Sequence, residues 1–493
     1  MATVSPHRVR PGRNGELGLL VLALSLGTGA YALVGLATTG SLPADIFGYS
    51  AGLIALSLGM HLVLRWRAPY ADPVILPTVV ALNGIGLAMI YRIDFAYAAR
   101  GREVADFAER QLVWTAISVV LAAVVLIALR DHRTLRRYTY TAMVVGLVLL
   151  VLPLVPGLGV EINGAQIWIR LSLGGLDGSF QPAEVAKIAF AIFFAGYLVT
   201  TRDTLALAGP RLLGLQLPRP RDLGPILLAW LASLGILVFQ SDLGTSLLFF
   251  GLFVGMLYLA TERLSWVVIG LMLFLGGAAV AATVIPHVGT RFDIWLHALG
   301  DEYYRASPGS GQLVGGLFGM ASGGLFGTGW GEGRPDLVPY AESDFIVASM
   351  GEELGLTGLL ALLVLYLVLA QRGLRTAIGV RDGFGKLFAG GMAFVIAFQC
   401  FVVVGGVTRL IPLTGLTMPF LAYGGSSLLA NWVIAALLLR ISDSARRPAD
   451  PALPIELPDA DEEPSRAEAP HSTPVSSEHE TELIDLRGEG TTS

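Results

Sequence analysis

Hydrophobic residues in this chain fall in long runs separated by short polar stretches. A helix needs roughly 20 apolar residues to cross a bilayer. Twelve such runs can be marked: Leu17–Leu36, Phe47–Leu64, Val74–Tyr91, Leu112–Leu129, Tyr138–Leu154, Ala183–Val199, Pro225–Phe239, Thr245–Ala260, Trp266–Ile285, Phe345–Ala370, Leu387–Val407 and Met418–Ile441. The seventh and eighth are parted only by the turn "QSDLG". The pattern predicts an all-α polytopic membrane protein of about twelve transmembrane helices, with a large extracytoplasmic loop between the ninth and tenth. No small-residue cleavage site follows the first run, which reads as an anchor and not as a removed signal peptide.

Charge sets the orientation. With the N-terminus inside, 21 Lys and Arg residues lie in or beside cytoplasmic segments and 10 lie outside. Arg8, Arg10 and Arg13, the loop "RDHRTLRR" and Arg440, Arg446 and Arg447 all count on the inner side. A two-to-one bias of this sign places both termini in the cytoplasm and residues 286–344 outside. Residues 1–16 read as a cytoplasmic N-terminus. Residues 447–493, rich in Pro, Glu, Asp and Ser with no aromatic side chain, read as a disordered acidic cytoplasmic tail.

Composition agrees: 54% of residues are hydrophobic and 14% charged, with a mean hydropathy of +0.66. The arginines are scattered through loops and make no nucleic-acid-binding face. The single cysteine, Cys400, excludes an internal disulfide. Neither a P-loop nor a G-x-G-x-x-G after a strand occurs, so the sequence offers no nucleotide cofactor site. No internal repeat is visible, which argues against an inverted-repeat transporter.

Polar residues gather at the outer boundary in four places. In "YAESDFIVASMGEELG", Asp344 stands at the mouth of a helix, with Glu342 before it and Glu352 and Glu353 roughly 12 Å deeper. Asp344 reads either as a helix cap or as an ionised carboxylate able to take a proton from a hydroxyl or hold a divalent cation. The preceding "SGQLVGGLFGMASGGLFGTGWGEGRPDLVPY" is too glycine-dense for a stable helix and reads as a re-entrant or surface-hugging lid. In "NGAQIWIRLSLGGLDGSFQPAEVAK", Glu184 and Lys187 share a helix face and form either an internal salt bridge or an anion seat, with Trp168 and Arg170 at the same interface. Asp242 in "FQSDLGTS" is a turn residue or a site residue. In "TRLIPLTGLTMPFLAYGGSS", Arg409 begins a stretch of broken backbone, tolerated at this depth only against protein or a cavity.

Taken together, "FQPAEVAK", "QSDLGT", "ESDFIVASMGEELG" and "IPLTG…MPFLAYGGSS" resemble the SEDS family, whose members are RodA, FtsW and SpoVE. The resemblance covers a core of residues 73–446 and leaves residues 17–72 as two additional N-terminal helices, like RodA-type proteins of actinobacteria. It implies a peptidoglycan glycosyltransferase that polymerises lipid II during elongation, on an undecaprenyl-linked glycan chain, beside a class B penicillin-binding protein. A bacterial plasma membrane location and a divalent cation, Mg or Mn, follow from the same resemblance. Asp344 falls on the family's essential outer-loop aspartate, and Glu184 and Lys187 on its acid–lysine pair. Lys187, Glu184, Arg170, Trp168, Asp242, Arg409 and Glu342 become candidate substrate-binding residues, and Asp344 the catalytic base or metal ligand. Glu342 and Ser343 depart from the usual His-Thr, Ala183 from serine, and Ile167 from a common arginine. A division-type FtsW polymerase, a lipid II flippase and a non-catalytic scaffold for a transpeptidase are the alternatives. A flippase needs a polar path open to both faces, whereas the polar groups here gather on one.

Overall fold

The computed structural model describes residues 13–448, except 102–105, 163–164, 174–175, 207–210, 213–214, 307–308 and most of 217–241. Among the described residues, eleven helices are long and apolar enough to cross a membrane. They coincide with eleven of the expected spans. The span at Pro225–Phe239 and the acidic tail lie outside the described residues.

The chain opens with α1 (Arg13–Thr39), α2 (Ile46–Arg67), α3 (Ile75–Ala99), α4 (Phe107–Ala128) and α5 (Thr139–Val151). After α6 (Pro182–Ala206) come α7 (Leu243–Thr261) and α8 (Leu264–Val284). Three shorter helices follow, α9 (Pro286–Leu296), α10 (Asp301–Arg305) and α11 (Gly311–Gly323). The bundle closes with α12 (Ile346–Gly379), α13 (Gly383–Val407) and α14 (Gly425–Arg446). The most buried helices, α3, α6, α7, α13 and α14, form the centre. By contrast α8 turns Leu271, Met272, Leu273 and Leu275 outward, each more than half exposed. Such a face is stable only against lipid.

Helix ends differ from the apolar runs where polar side chains find protein partners. Helix α3 continues past Tyr91 because Arg92 bonds to Glu353 and Asp94 accepts from the Phe107 and Ala108 amides at 3.2 and 2.8 Å. The last helix starts later than expected: residues 418–424 are not helical. Between α5 and α6 the all-α expectation gains a small antiparallel sheet, β1 (Gly159–Ile162), β2 (Ala165–Leu173) and β3 (Leu176–Phe180), in that order. The signal was present, since Ile167 and Ile169 alternate with Gln166, Trp168 and Arg170, a strand period.

The glycine-dense stretch also differs from the lid expected of it, because residues 311–323 are helical. Glycine costs a helix up to about 1 kcal/mol per residue. Here it permits contact that a side chain would block: a Cβ on Gly323 would run into the Gly351 and Glu352 carbonyls of α12.

Two polar ends cap the bundle. At one, Arg440 donates to the Leu129 and Arg67 carbonyls at 2.7 Å each, Arg446 lies 3.4 Å from Asp72, and His132 meets Asp382 at 2.8 Å. The sheet, α9 to α11 and the broken segment 408–424 make the other.

Candidate active site

Asp344 sits in a tight turn just before α12. The turn is closed by the Ser343 and Phe345 amides, both donating to the Tyr340 carbonyl, with Ala341 and Phe345 fully buried as anchors. Asp344 does not cap the helix: the N-cap position is Phe345, without a side-chain bond. Its carboxylate is partly exposed and accepts from the Ser343 hydroxyl at 3.2 Å. Burial raises its pKa to about 6. The Glu342 charge adds to the rise, and the Ser343 bond and Arg291 oppose it. Glu342 turns inward, where its carboxylate accepts from the Tyr97 hydroxyl at 2.8 Å.

The two deeper acids serve the glycine-rich loop. Glu352 accepts from the Arg334 amide at 2.9 Å, and Glu353 from the Gly331 amide at 2.9 Å and Arg92 Nε at 2.7 Å. Their carbonyls accept from the Thr328 and Gly329 amides. Gly355, at φ 67°, breaks the helix so that the Leu356 and Thr357 amides can reach the Gly324 and Leu325 carbonyls. An L side chain is strained at that φ. Both carboxylates therefore fix the loop beneath Asp344.

Asp242 is the buried N-cap of α7, accepting from the Thr245 amide at 2.9 Å and from Gln181 at 3.3 Å. Burial raises its pKa against those bonds. Lys187 is closed into an internal network: Nζ donates to Glu184 at 2.6 Å, Gln399 at 3.1 Å and Asn431 at 3.2 Å, and the residue is 1% exposed. An ammonium has three donors, so none is left for a phosphate. Of the two readings of Glu184 and Lys187, the structure shows the internal salt bridge.

Arg409 is bound to the main chain. Its guanidinium donates to the Trp295 and Leu296 carbonyls at 2.8 Å, and Trp295 donates back to its carbonyl at 3.1 Å. It closes the C-terminus of α9. Arg170 and Trp168 lie on β2, Arg170 exposed opposite Ser179 and Trp168 half-buried opposite Val160.

One charged residue escaped the sequence reading. Arg291, on α9, is partly exposed and donates to the Leu413 carbonyl at 3.3 Å. Burial lowers its pKa, while the charges of Asp242 and Asp344 act in the opposite sense. The broken segment brings these groups together. The Thr414 carbonyl rests on Gly244 beside Asp242, Leu413 holds Arg291, and the Tyr423 amide donates to the Glu342 carbonyl at 2.8 Å. Nothing in the sequence marked Arg291, because the loop around it showed no apolar run.

Among the described residues no group of three or more His, Cys, Asp or Glu side chains is placed to hold a metal ion. A magnesium-type ion at Asp344 would draw its other ligands from substrate phosphates and water.

The profile of the FtsW/RodA/SpoVE family of cell cycle proteins matches residues 73–447. The peptidoglycan glycosyltransferase RodA of Mycobacterium tuberculosis is 49% identical over 438 residues, 88% of this chain and 92% of its own. A chain from a peptidoglycan synthase complex, described as coordinating polymerization and crosslinking, superposes with a TM-score of 0.59 at 26% identity over 77% of this chain and 99% of that one. The rod shape determining protein RodA of Thermus thermophilus gives 0.52 at 26% identity, over 77% and 98%.

Proposed function

The chain belongs to the FtsW/RodA/SpoVE family and is a multi-pass peptidoglycan glycosyltransferase of the RodA type, and from this premise we propose that it polymerises lipid II during elongation with Asp344 as its general base. One observation carries the reading. Asp344 is a partly exposed carboxylate, free of capping duty, whose pKa of about 6 leaves it ionised at neutral pH yet more basic than an ordinary aspartate.

In the proposed step the Asp344 carboxylate accepts the proton of the acceptor sugar's 4-hydroxyl. The hydroxyl oxygen forms a bond to C1 of the sugar at the end of the growing chain. The bond from C1 to the diphosphate oxygen breaks, and its electron pair leaves with the undecaprenyl diphosphate. A diphosphate departs without prior protonation, so one carboxylate suffices where a glycoside hydrolase uses two. A divalent cation, Mg or Mn, would neutralise part of the diphosphate charge when bound.

The arginine bias supports a bacterial plasma membrane protein with both termini in the cytoplasm and the Asp344 end outside. The synthase-complex relative supports a class B penicillin-binding protein as partner, its single transmembrane helix lying on outer-half apolar faces of the core helices. Purified protein incubated with lipid II, with and without that partner, tests the activity. Glycan strands should form, and Asp344→Asn should reduce them toward background, a loss of about 10²–10⁴-fold. Polymerisation by Asp344→Asn within a few-fold of the parent would remove Asp344 from the base role.

A further inference from the structure

The proposed reaction leaves new negative charge on a diphosphate, so the site needs a cation at the point where the C1–oxygen bond breaks. The cations singled out from sequence do not supply it. Lys187 is sealed among Glu184, Gln399 and Asn431. Arg409 is held by two carbonyls of α9. Arg92 is paired with Glu353 and Gly333, Arg100 lies 2.5 Å from Asp336, and Arg170 is exposed on the sheet.

Arg291 differs from them in what surrounds it. It gives one N–H to the Leu413 carbonyl at 3.3 Å, which fixes the side chain without using up its five donors. It is partly exposed, and the charges of Asp242 and Asp344 act on it. The segment that holds it also touches the turn of Asp242 through Thr414 and the turn of Asp344 through Tyr423. A planar guanidinium offers paired N–H groups that match two phosphate oxygens, which a lysine cannot do.

We infer that Arg291 is the anion contact of this active site, the guanidinium that receives the diphosphate oxygens of the lipid-linked donor as its C1–oxygen bond breaks. The inference rests on the reading of Asp344 as the base. As that bond breaks, the electron pair goes to the diphosphate oxygen and the acceptor's proton to Asp344; Arg291 exchanges no proton and supplies charge alone.

The test measures binding and turnover separately on the full-length protein in detergent. Undecaprenyl diphosphate is the binding probe and lipid II the substrate. Arg291→Gln should bind undecaprenyl diphosphate at least about ten-fold more weakly, the effect of losing one charge-assisted hydrogen bond, and should polymerise lipid II correspondingly more slowly. Arg291→Lys, which keeps the charge and loses the fork, should fall between. It also carries the test should Arg291→Gln fail to fold. Wild-type affinity for undecaprenyl diphosphate in either folded variant, with polymerisation within about three-fold, overturns the inference. The base reading fails on a different result: Asp344→Asn that still polymerises, whatever Arg291 does to binding.

Discussion

Tyr97 donates its hydroxyl to Glu342 across 2.8 Å, and so fixes a negative charge two residues from Asp344. The Tyr423 amide holds the main chain of the same glutamate at 2.8 Å. Burial first, and this neighbour after it, raise Asp344 to about 6. A base works only when ionised, so polymerisation should fall as pH drops through about 6 and level off above it. Glu342→Gln removes a repelling charge and should move that inflection to lower pH. Arg291→Gln removes an attracting one and should move it up. The pH–rate profile with lipid II checks all three, and an acid limb that neither substitution moves would refute the electrostatic account.

The same shift makes a statement about stability. Asp344 has a folded pKa of about 6 against an ordinary 3.8. The contribution of its protonated form is fully present below the unfolded value and lost as pH rises through about 6. Asp344→Asn cannot ionise, so at pH 7.5 it should melt at a higher temperature than the parent. Near pH 4 the gap should shrink. Melting curves in detergent decide this: a variant that melts lower at pH 7.5 would mark Asp344 as structural.

Hydropathy alone made the bundle legible, because eleven of the twelve expected spans coincide with helices and the twelfth lies outside the described residues. Burial of polar groups was not legible in the same way. Lys187 and Arg409 carry the charge expected of an anion site, yet their partners Asn431, Gln399, Trp295 and Leu296 lie far along the chain. Only the fold brings them near enough to engage the two charged groups. Arg291 is the converse case, a residue on a short helix without an apolar pattern that the segment 408–424 holds through the Leu413 carbonyl. The sheet at 159–180 was readable from its alternation, and the apolar runs on either side hid it.

The pair Arg92 and Glu353, 2.7 Å apart and buried, predicts how the glycine-rich loop is held. Arg92→Met leaves the Glu353 carboxyl buried with only the Gly331 amide, and breaking one partner of such a pair costs about 3–5 kcal/mol. The single variant should lose both thermal stability and glycan synthesis. The double variant Arg92→Met with Glu353→Met should recover much of the stability and little of the synthesis, since the loop amide of Gly331 then loses its acceptor. Equal recovery of both would separate the loop from the active site.

The last prediction concerns which way the bundle faces. Cys400 is buried and is the only cysteine, so Cys400→Ser gives a background free of thiols. Ser310 would be a poor reporter of the outer loop, because its hydroxyl is buried against the Ala298 carbonyl. Glu332 and Thr134 are exposed at opposite ends of the bundle, the first in the glycine-rich loop and the second in the arginine-rich turn before α5. In intact spheroplasts, Glu332→Cys should react with a membrane-impermeant maleimide and Thr134→Cys should react only after lysis. Arginine-rich segments stay on the cytoplasmic side during insertion, and this rule sets the orientation. It is independent of the site chemistry, so labelling in the reverse order would leave the geometry around Asp344 intact and place it on the face where no lipid-linked chain could be extended into the wall.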